Sequence, residues 1–192
     1  MLLYIGIAIG LVPLLWFIVA WATYPSDRSP RGAYLRIVAA VNRGNPEEFF
    51  PYIEKPAQDA CFTVREFRYK ARVRVLQSYP EPERSRLAKE YEEEAAAPDG
   101  AAVFALYSRR RGWMDRLRRD MSGVASIEAN GERATVVTVK GTRYPFRRRE
   151  SGVWGLTLFT PTLVAEGNKA ARDFSMIEQA ANDYDRAKQQ SE

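Results

Sequence analysis

The apolar positions of this chain fall into three regimes: an unbroken run at the start, a helical spacing of three and four through the middle, and alternation from Gly123 onward. Residues 2 to 22 (LLYIGIAIGLVPLLWFIVAWA) carry no charge, and the first charged side chain after them is Asp27. A helix needs about 20 such residues to cross a hydrocarbon core of about 30 Å. The run therefore predicts a single-pass transmembrane anchor over residues 1–24, meeting the lipid bilayer through residues 2–22. Tyr4, Trp16, Trp21 and Tyr24 stand toward its ends, where amphipathic rings favour the interface. Pro13 removes one backbone donor, which membrane helices tolerate when neighbours or local shifts satisfy the freed carbonyl. A cleaved export signal is the competing reading, since Ala20-Trp21-Ala22 has the small-x-small form of a cleavage site. The absence of Lys or Arg before the run, its length, and a Trp inside that site favour a retained anchor. Arg28, Arg31, Arg36 and Arg43 follow the run and place the rest of the chain on the cytoplasmic side of the cell membrane. Gly6-x-x-x-Gly10 would let two such helices approach closely, although so short a spacing is common by chance; a homodimer stays open.

Residues 25–31 (PSDRSPR) read as a polar linker and residues 32–192 as one domain. Ser29 and Pro30 open a helix through Arg43, and Gly44 closes it. Asn45-Pro46 opens a short one carrying Phe49, Phe50, Tyr52 and Ile53. Residues 57 to 79 show the clearest period, with Ala57, Ala60, Cys61, Val64, Phe67, Ala71 and Val75 facing a core between charged positions. A charged helix is expected from Pro82 through Ala97, held by Leu87 and Tyr91. Another follows Asp99-Gly100 and leads into the basic run Arg109, Arg110, Arg111 and the cluster Arg116, Arg118, Arg119.

Ala125, Ile127 and Ala129 then alternate with polar residues up to Asn130-Gly131, which suits a two-residue type I′ hairpin turn. Residues 132–140 return as a strand. Thr142 to Arg149 make a third, placed at an edge or bulged because Pro145 has no N–H to donate. Val153 to Phe159 make a fourth, with Trp154, Leu156 and Leu158 on one side. Thr160-Pro161 starts a last helix to about residue 189, with a break expected at Gly167-Asn168. The fold class that results is α+β: helices packed on a curved four-stranded antiparallel meander, with a C-terminal helix.

Composition changes this picture by subtraction. The chain of 192 residues has no histidine, which removes histidine-based triads, histidine general bases and the commonest zinc and iron ligand sets. No phosphate-loop, dinucleotide or calcium-loop motif is present, and no cofactor or metal is predicted. Cys61 is the single cysteine, so no internal disulfide forms, no lipoprotein anchor is available, and the thiol reads as a buried small hydrophobe. The formal net charge is +5, and arginine outnumbers lysine 23 to 6, a bias that suits a GC-rich bacterial genome.

At ATVVTVKGTRYPFRRRESGVWGLTLF, residues 134–159, the chain resembles the nuclear-transport-factor-two-like superfamily. The match lies in a strand of the form A-x-V, a Gly turn, an aromatic strand ending in basic residues, and Gly-x-Trp before the final strand. AYLRIVAAVNRGNPEEFF, residues 33–50, is similar to the opening helix of that superfamily. The resemblance implies a cone-shaped domain, and its members divide between small-molecule enzymes such as ketosteroid isomerases and dehydratases, and non-catalytic binding or assembly domains. The long charged helical insertion around residues 80–120 and the extra C-terminal helix depart from it.

Two functions follow as expectations. The first is a membrane-anchored, non-catalytic interaction domain with a protein partner, in which Arg109, Arg110, Arg111, Arg116, Arg118, Arg119, Arg147, Arg148 and Arg149 contact an anionic surface. Its bland counterpart is a set of solvated faces balanced by nearby acids. The second is a small-molecule binding protein or isomerase-like enzyme using the cone's cavity, for which Asp59, Tyr69 and Tyr144 are of suitable type. Nucleic-acid binding is not expected, because the aromatics sit at core periods rather than between the basic residues.

Overall fold

The computed structural model describes residues 25 to 191. The apolar run at residues 2–22 and its expected membrane helix lie outside the described residues, and among those described no helix is long and apolar enough to cross a membrane.

Helix α1 (Pro30–Arg43) begins where the Ser29 hydroxyl accepts from the Gly32 N–H at 3.1 Å and ends at Gly44, whose φ of 72° is left-handed. Helix α2 (Pro46–Phe49) is capped by Asn45 and continues as a 3-10 turn, Phe50–Tyr52. Helix α3 (Lys55–Ser78) is the long amphipathic helix expected from the spacing. The single charged helix expected over residues 82–97 is instead two, α4 (Glu83–Glu90) and α5 (Glu92–Ala96). The division falls at Tyr91, whose ring is buried under the Arg68 guanidinium. Helices α6 (Gly100–Arg110), capped by Asp99, and α7 (Trp113–Asp120) complete the first half.

Strands β1 (Val124–Asn130), β2 (Arg133–Thr138), β3 (Arg143–Arg148) and β4 (Trp154–Leu156) form one antiparallel sheet in the order β1-β2-β3-β4. Three details differ from the sequence expectation. Asn130 pairs with Arg133, so the hairpin turn is Gly131-Glu132, with positive φ at Gly131 alone. That is the pattern of a II′ turn rather than I′, with the glycine at the first central position. Strand β3 is not an edge. Pro145 is accommodated because its N side faces β4 just beyond Leu156, where that strand has ended; its carbonyl still accepts from the Thr157 N–H at 3.0 Å. The alternation in the fourth strand also stops early, leaving Leu158 exposed while Phe159 turns into the core.

One face of the sheet is buried, through Ala134, Val136, Tyr144, Phe146, Trp154 and Leu156. Helix α1 covers it, with the Tyr34 ring 5.5 Å from that of Tyr144. Between helices and sheet the interior is filled by Phe49, Phe104, Trp113 and Phe159, whose ring centroids stand 4.5 to 6.0 Å apart. Each such aromatic taken from water contributes roughly 1.5–3 kcal/mol.

The last helix, α8 (Thr160–Ser191), runs through Gly167-Asn168 without a break. Gly167 serves as a contact point there: a Cβ on it would stand 3.4 Å from Ala60 of α3. The two helices lie side by side in the same direction, joined at 60 and 167, at 68 and 173, and at 74 and 178. Their far ends enclose a second apolar cluster of Ala71, Val75, Tyr79, Ala88, Tyr91, Ile177 and Ala181.

Candidate functional site

The polar linker expected at residues 25–31 is docked on the domain. The Trp154 N–H donates to the Asp27 carbonyl at 3.3 Å, and the Trp154 indole donates to the Arg28 carbonyl at 3.1 Å. Arg36 Nη1 donates to the Pro25 carbonyl at 3.0 Å. Gly32 permits this approach, since a Cβ there would lie 2.0 Å from the Ser26 carbonyl oxygen. The Arg28 stem rests against the β3–β4 turn, with its Cδ 3.8 Å from where a Cβ on Gly152 would be. The start of the domain is thereby fixed beside that turn.

The same turn forms one wall of a cleft of about 560 Å³; the other wall is the N-terminus of α3. Lys55, Arg147, Arg148 and Arg149 line it against two acids, Glu54 and Glu150. Its geometry comes from a strap: Ile53 bridges to Leu156, and the Glu54 N–H donates to the Leu156 carbonyl at 3.0 Å. Gly155 makes the strap possible, because a Cβ on it would stand 2.8 Å from Glu54 Cα. Arg147 is the cross-strand partner of Gly155 and reaches over it, placing Nη1 2.9 Å from Glu54 Oε1. The contact is an ion pair without hydrogen-bond alignment. Glu54 Oε2 accepts from the Thr160 hydroxyl at 2.8 Å. Lys55 pairs with Asp59, and no acid pairs with Arg148 among the described residues.

Arg149 is the unusual member. Its Nη1 donates to Gln58 Oε1 at 3.2 Å, and Gln58 is itself oriented by donating to the Phe50 carbonyl at 2.7 Å. Nε and Nη2 are buried and have no acceptor. Burial pulls this guanidinium below its ordinary pKa, opposed by a smaller effect from Tyr52. A cation held only by a neutral amide, with two donors unmet, is a costly arrangement that an anion would relieve.

The nine arginines singled out by sequence do not share one surface. Arg110 and Arg111 line a cleft of about 380 Å³ with Arg68, Glu94, Tyr107, Glu166 and others, and there they are matched. Arg110 Nη1 is 2.7 Å from Glu94 Oε1 and its Nη2 is 2.7 Å from Glu93; Arg111 is 2.5 Å from Glu166. Arg118 pairs with Asp115 at 3.4 Å and donates to the Val41 carbonyl at 3.2 Å. Arg109 and Arg119 are exposed, and Arg116 lines a third cleft. Arg147, Arg148 and Arg149 line one cleft together, and of these three it is Arg149 whose buried donors are unmet.

Asp59, Tyr69 and Tyr144 are not brought together. Asp59 and Tyr69 are exposed on α3, while Tyr144 is buried with its hydroxyl unpartnered, lining a cleft of about 250 Å³ that also includes Asp120. Among the described residues no three His, Cys, Asp or Glu side chains gather as a metal site. Sequence reasoning missed Gln58, Glu54 and the docked Pro25–Ser29 segment; the one available signal was the glycine at 155, in the middle of a strand. Comparison of the chain with family models, curated proteins and solved structures gave no match.

Proposed function

We propose that this chain is a membrane-anchored, non-catalytic binding module. The observation that carries this reading is the docking of Pro25–Ser29 against β4, directly after an uncharged run of bilayer-crossing length. A leader destined for removal has no need of a rigid join to the domain, whereas a permanent anchor uses one to set the domain's orientation. The basic flank puts the domain on the cytoplasmic side. The helices-first order and the meander agree with the nuclear-transport-factor-two-like resemblance, and binding or assembly is the branch of that superfamily that suits a filled interior and a chain without histidine. Alkaline carbonate extraction of native membranes tests the anchor: the full chain stays in the pellet, and release into the supernatant would refute the reading. Capture through a tag after Glu192 from detergent-solubilised membranes then identifies the protein partner.

The small-molecule reading has one observation in its favour, the buried and unpartnered Tyr144 hydroxyl close to Asp120. Titration with planar phenolic or ketone ligands should shift the NMR signals of the Tyr144 ring if that cleft is a ligand site. No shift up to the solubility limit removes it.

A further inference from the structure

We propose that the outer face of α3 is the surface through which two copies of this chain pair, the two helices lying antiparallel about a two-fold axis at Tyr69. This assignment rests on the binding-module reading and names its partner; it does not depend on the membrane anchor.

Helix α3 is apolar on two faces. Ala57, Cys61, Val64, Ala71 and Val75 turn into the domain. On the opposite side Phe62, Tyr69 and Leu76 are 48%, 53% and 44% exposed. They recur every seven residues, a spacing that keeps one line along a helix and here spans about 21 Å. Val73, partly buried, fills the line between Tyr69 and Leu76. The other exposed large apolar residues, Ile127, Val139, Leu158, Met176 and Tyr184, are scattered over the sheet, its loops and α8. A line of large apolar side chains on a helix whose other face already fills a core calls for a second apolar surface. Its drift of about 20° per heptad is the one that a facing helix follows at a small crossing angle.

The charges beside the line select a second copy as that surface. Glu66 and Lys70 form an exposed ion pair on one flank, 2.6 Å apart. On the other flank Arg72 lies 3.3 Å from Glu92. Arg65 donates to the Ala97 carbonyl and sits over the Tyr69 ring, with no acid beside it among the described residues. A two-fold axis at Tyr69 sets Phe62 against Leu76 of the second copy, Tyr69 against Tyr69, and like flank against like flank. Glu66 then meets Lys70 of the second copy, and Lys70 its Glu66. On the other flank Arg65 comes level with Glu92 of the second copy and gains the acid it lacks, sharing it with Arg72. A parallel arrangement would oppose Glu66 to Glu66 and Arg65 to Arg65, and a partner helix of a single charge would meet the wrong sign along part of the line. One helix pair lies at the small end of specific interfaces, below about 1,200 Å² in total, so the pairing is reversible.

Sedimentation equilibrium of the full chain in detergent, across the micromolar range, tests the pairing. The wild type should pass from monomer to dimer, and Tyr69→Glu or Leu76→Ser should weaken association about tenfold. Met176→Ser and Val139→Ser, which remove apolar side chains at least as exposed, should leave it unchanged. Glu66→Lys and Lys70→Glu should each weaken it, and the two together should restore it, which a mere loss of apolar surface does not do. Because Cys61 is buried, mild air oxidation should link Tyr69→Cys into a covalent dimer and leave Tyr184→Cys unlinked. An unchanged thermal melt shows that each of these surface variants is folded. A wild type that stays monomeric, or a dimer indifferent to the α3 changes, such as one made through the apolar run, overturns the assignment. Neither result touches the anchor, which carbonate extraction decides, or the capture of another protein, which is read from solubilised membranes.

Discussion

Arg68 Nη1 lies 2.7 Å from Asp173 Oδ2, a pair 105 residues apart that joins α3 to α8 in a charged layer between two apolar clusters. Along α3, Arg68 falls between Val64 of the main core and Ala71 of the second cluster; along α8, Asp173 falls between Ala170 and Ile177. Arg68 Nε also donates to Glu94 at 3.1 Å, and Glu94 takes further bonds from Tyr107 at 3.1 Å and Arg110 at 2.7 Å. The layer fixes the register of the two long helices, which apolar contacts alone would define less sharply.

Arg68→Met should therefore destabilise the domain by about 3 kcal/mol, because it takes from Asp173 its cation and from the buried Glu94 one of its three donors. Adding Asp173→Leu should recover part of that loss, and urea denaturation of both variants in detergent measures the coupling. Simple additivity of the two changes would contradict the pairing.

Alkaline stability follows from buried tyrosines. Burial raises the hydroxyls of Tyr34, Tyr79, Tyr91, Tyr107 and Tyr144 above 10.0, with Glu94 adding to the rise at Tyr107. Above pH 10 the unfolded chain sheds protons that the folded chain keeps, so this stability is intact below pH 10 and is lost as pH rises toward the folded values. Each tyrosine contributes a slope of at most about 1.4 kcal/mol per pH unit. Tyr107→Phe should flatten the alkaline limb by one such step in a pH series of thermal melts.

Cys61 is fully buried, and burial pushes its thiol up to about 12. Iodoacetamide at pH 8 should leave it unmodified in the folded protein and modify it readily in denaturant, as mass spectrometry would show. Rapid labelling under native conditions would contradict its place in the core.

The register of the first hairpin is open to a direct comparison. Gly131 has a φ of 57°, so Gly131→Ala should cost about 1–2 kcal/mol. Asn130 has an ordinary φ and should tolerate Ala within about 0.5 kcal/mol. The opposite ranking in thermal melts would restore the turn at Asn130-Gly131.

Gly155→Ala should separate the strap from β4, since the new Cβ would meet Glu54 Cα and the Ile53 carbonyl oxygen at 2.8 Å. A cost of about 1–3 kcal/mol is expected. Hydrogen exchange at the Glu54 amide, now bonded to Leu156, should accelerate.

The sequence by itself determined most of the helices, though not α7 or the division between α4 and α5, together with the antiparallel meander and the helix openings at Ser29-Pro30 and Asn45-Pro46. These depend on spacings of two to four residues and on side chains bonding to backbone within a turn, so they are local. It also singled out Arg147 to Arg149, but among nine equivalent arginines. Only the tertiary structure decided which of the nine have partners, because Arg110 and Arg111 meet their acids through helix packing across 16 and 55 residues. The docking of Pro25–Ser29 on Trp154, the unbroken α8 at Gly167, and the end of β4 at Leu156 were likewise settled by distant contacts. So was the unmet fork of Arg149, because a donor's isolation depends on everything folded around it.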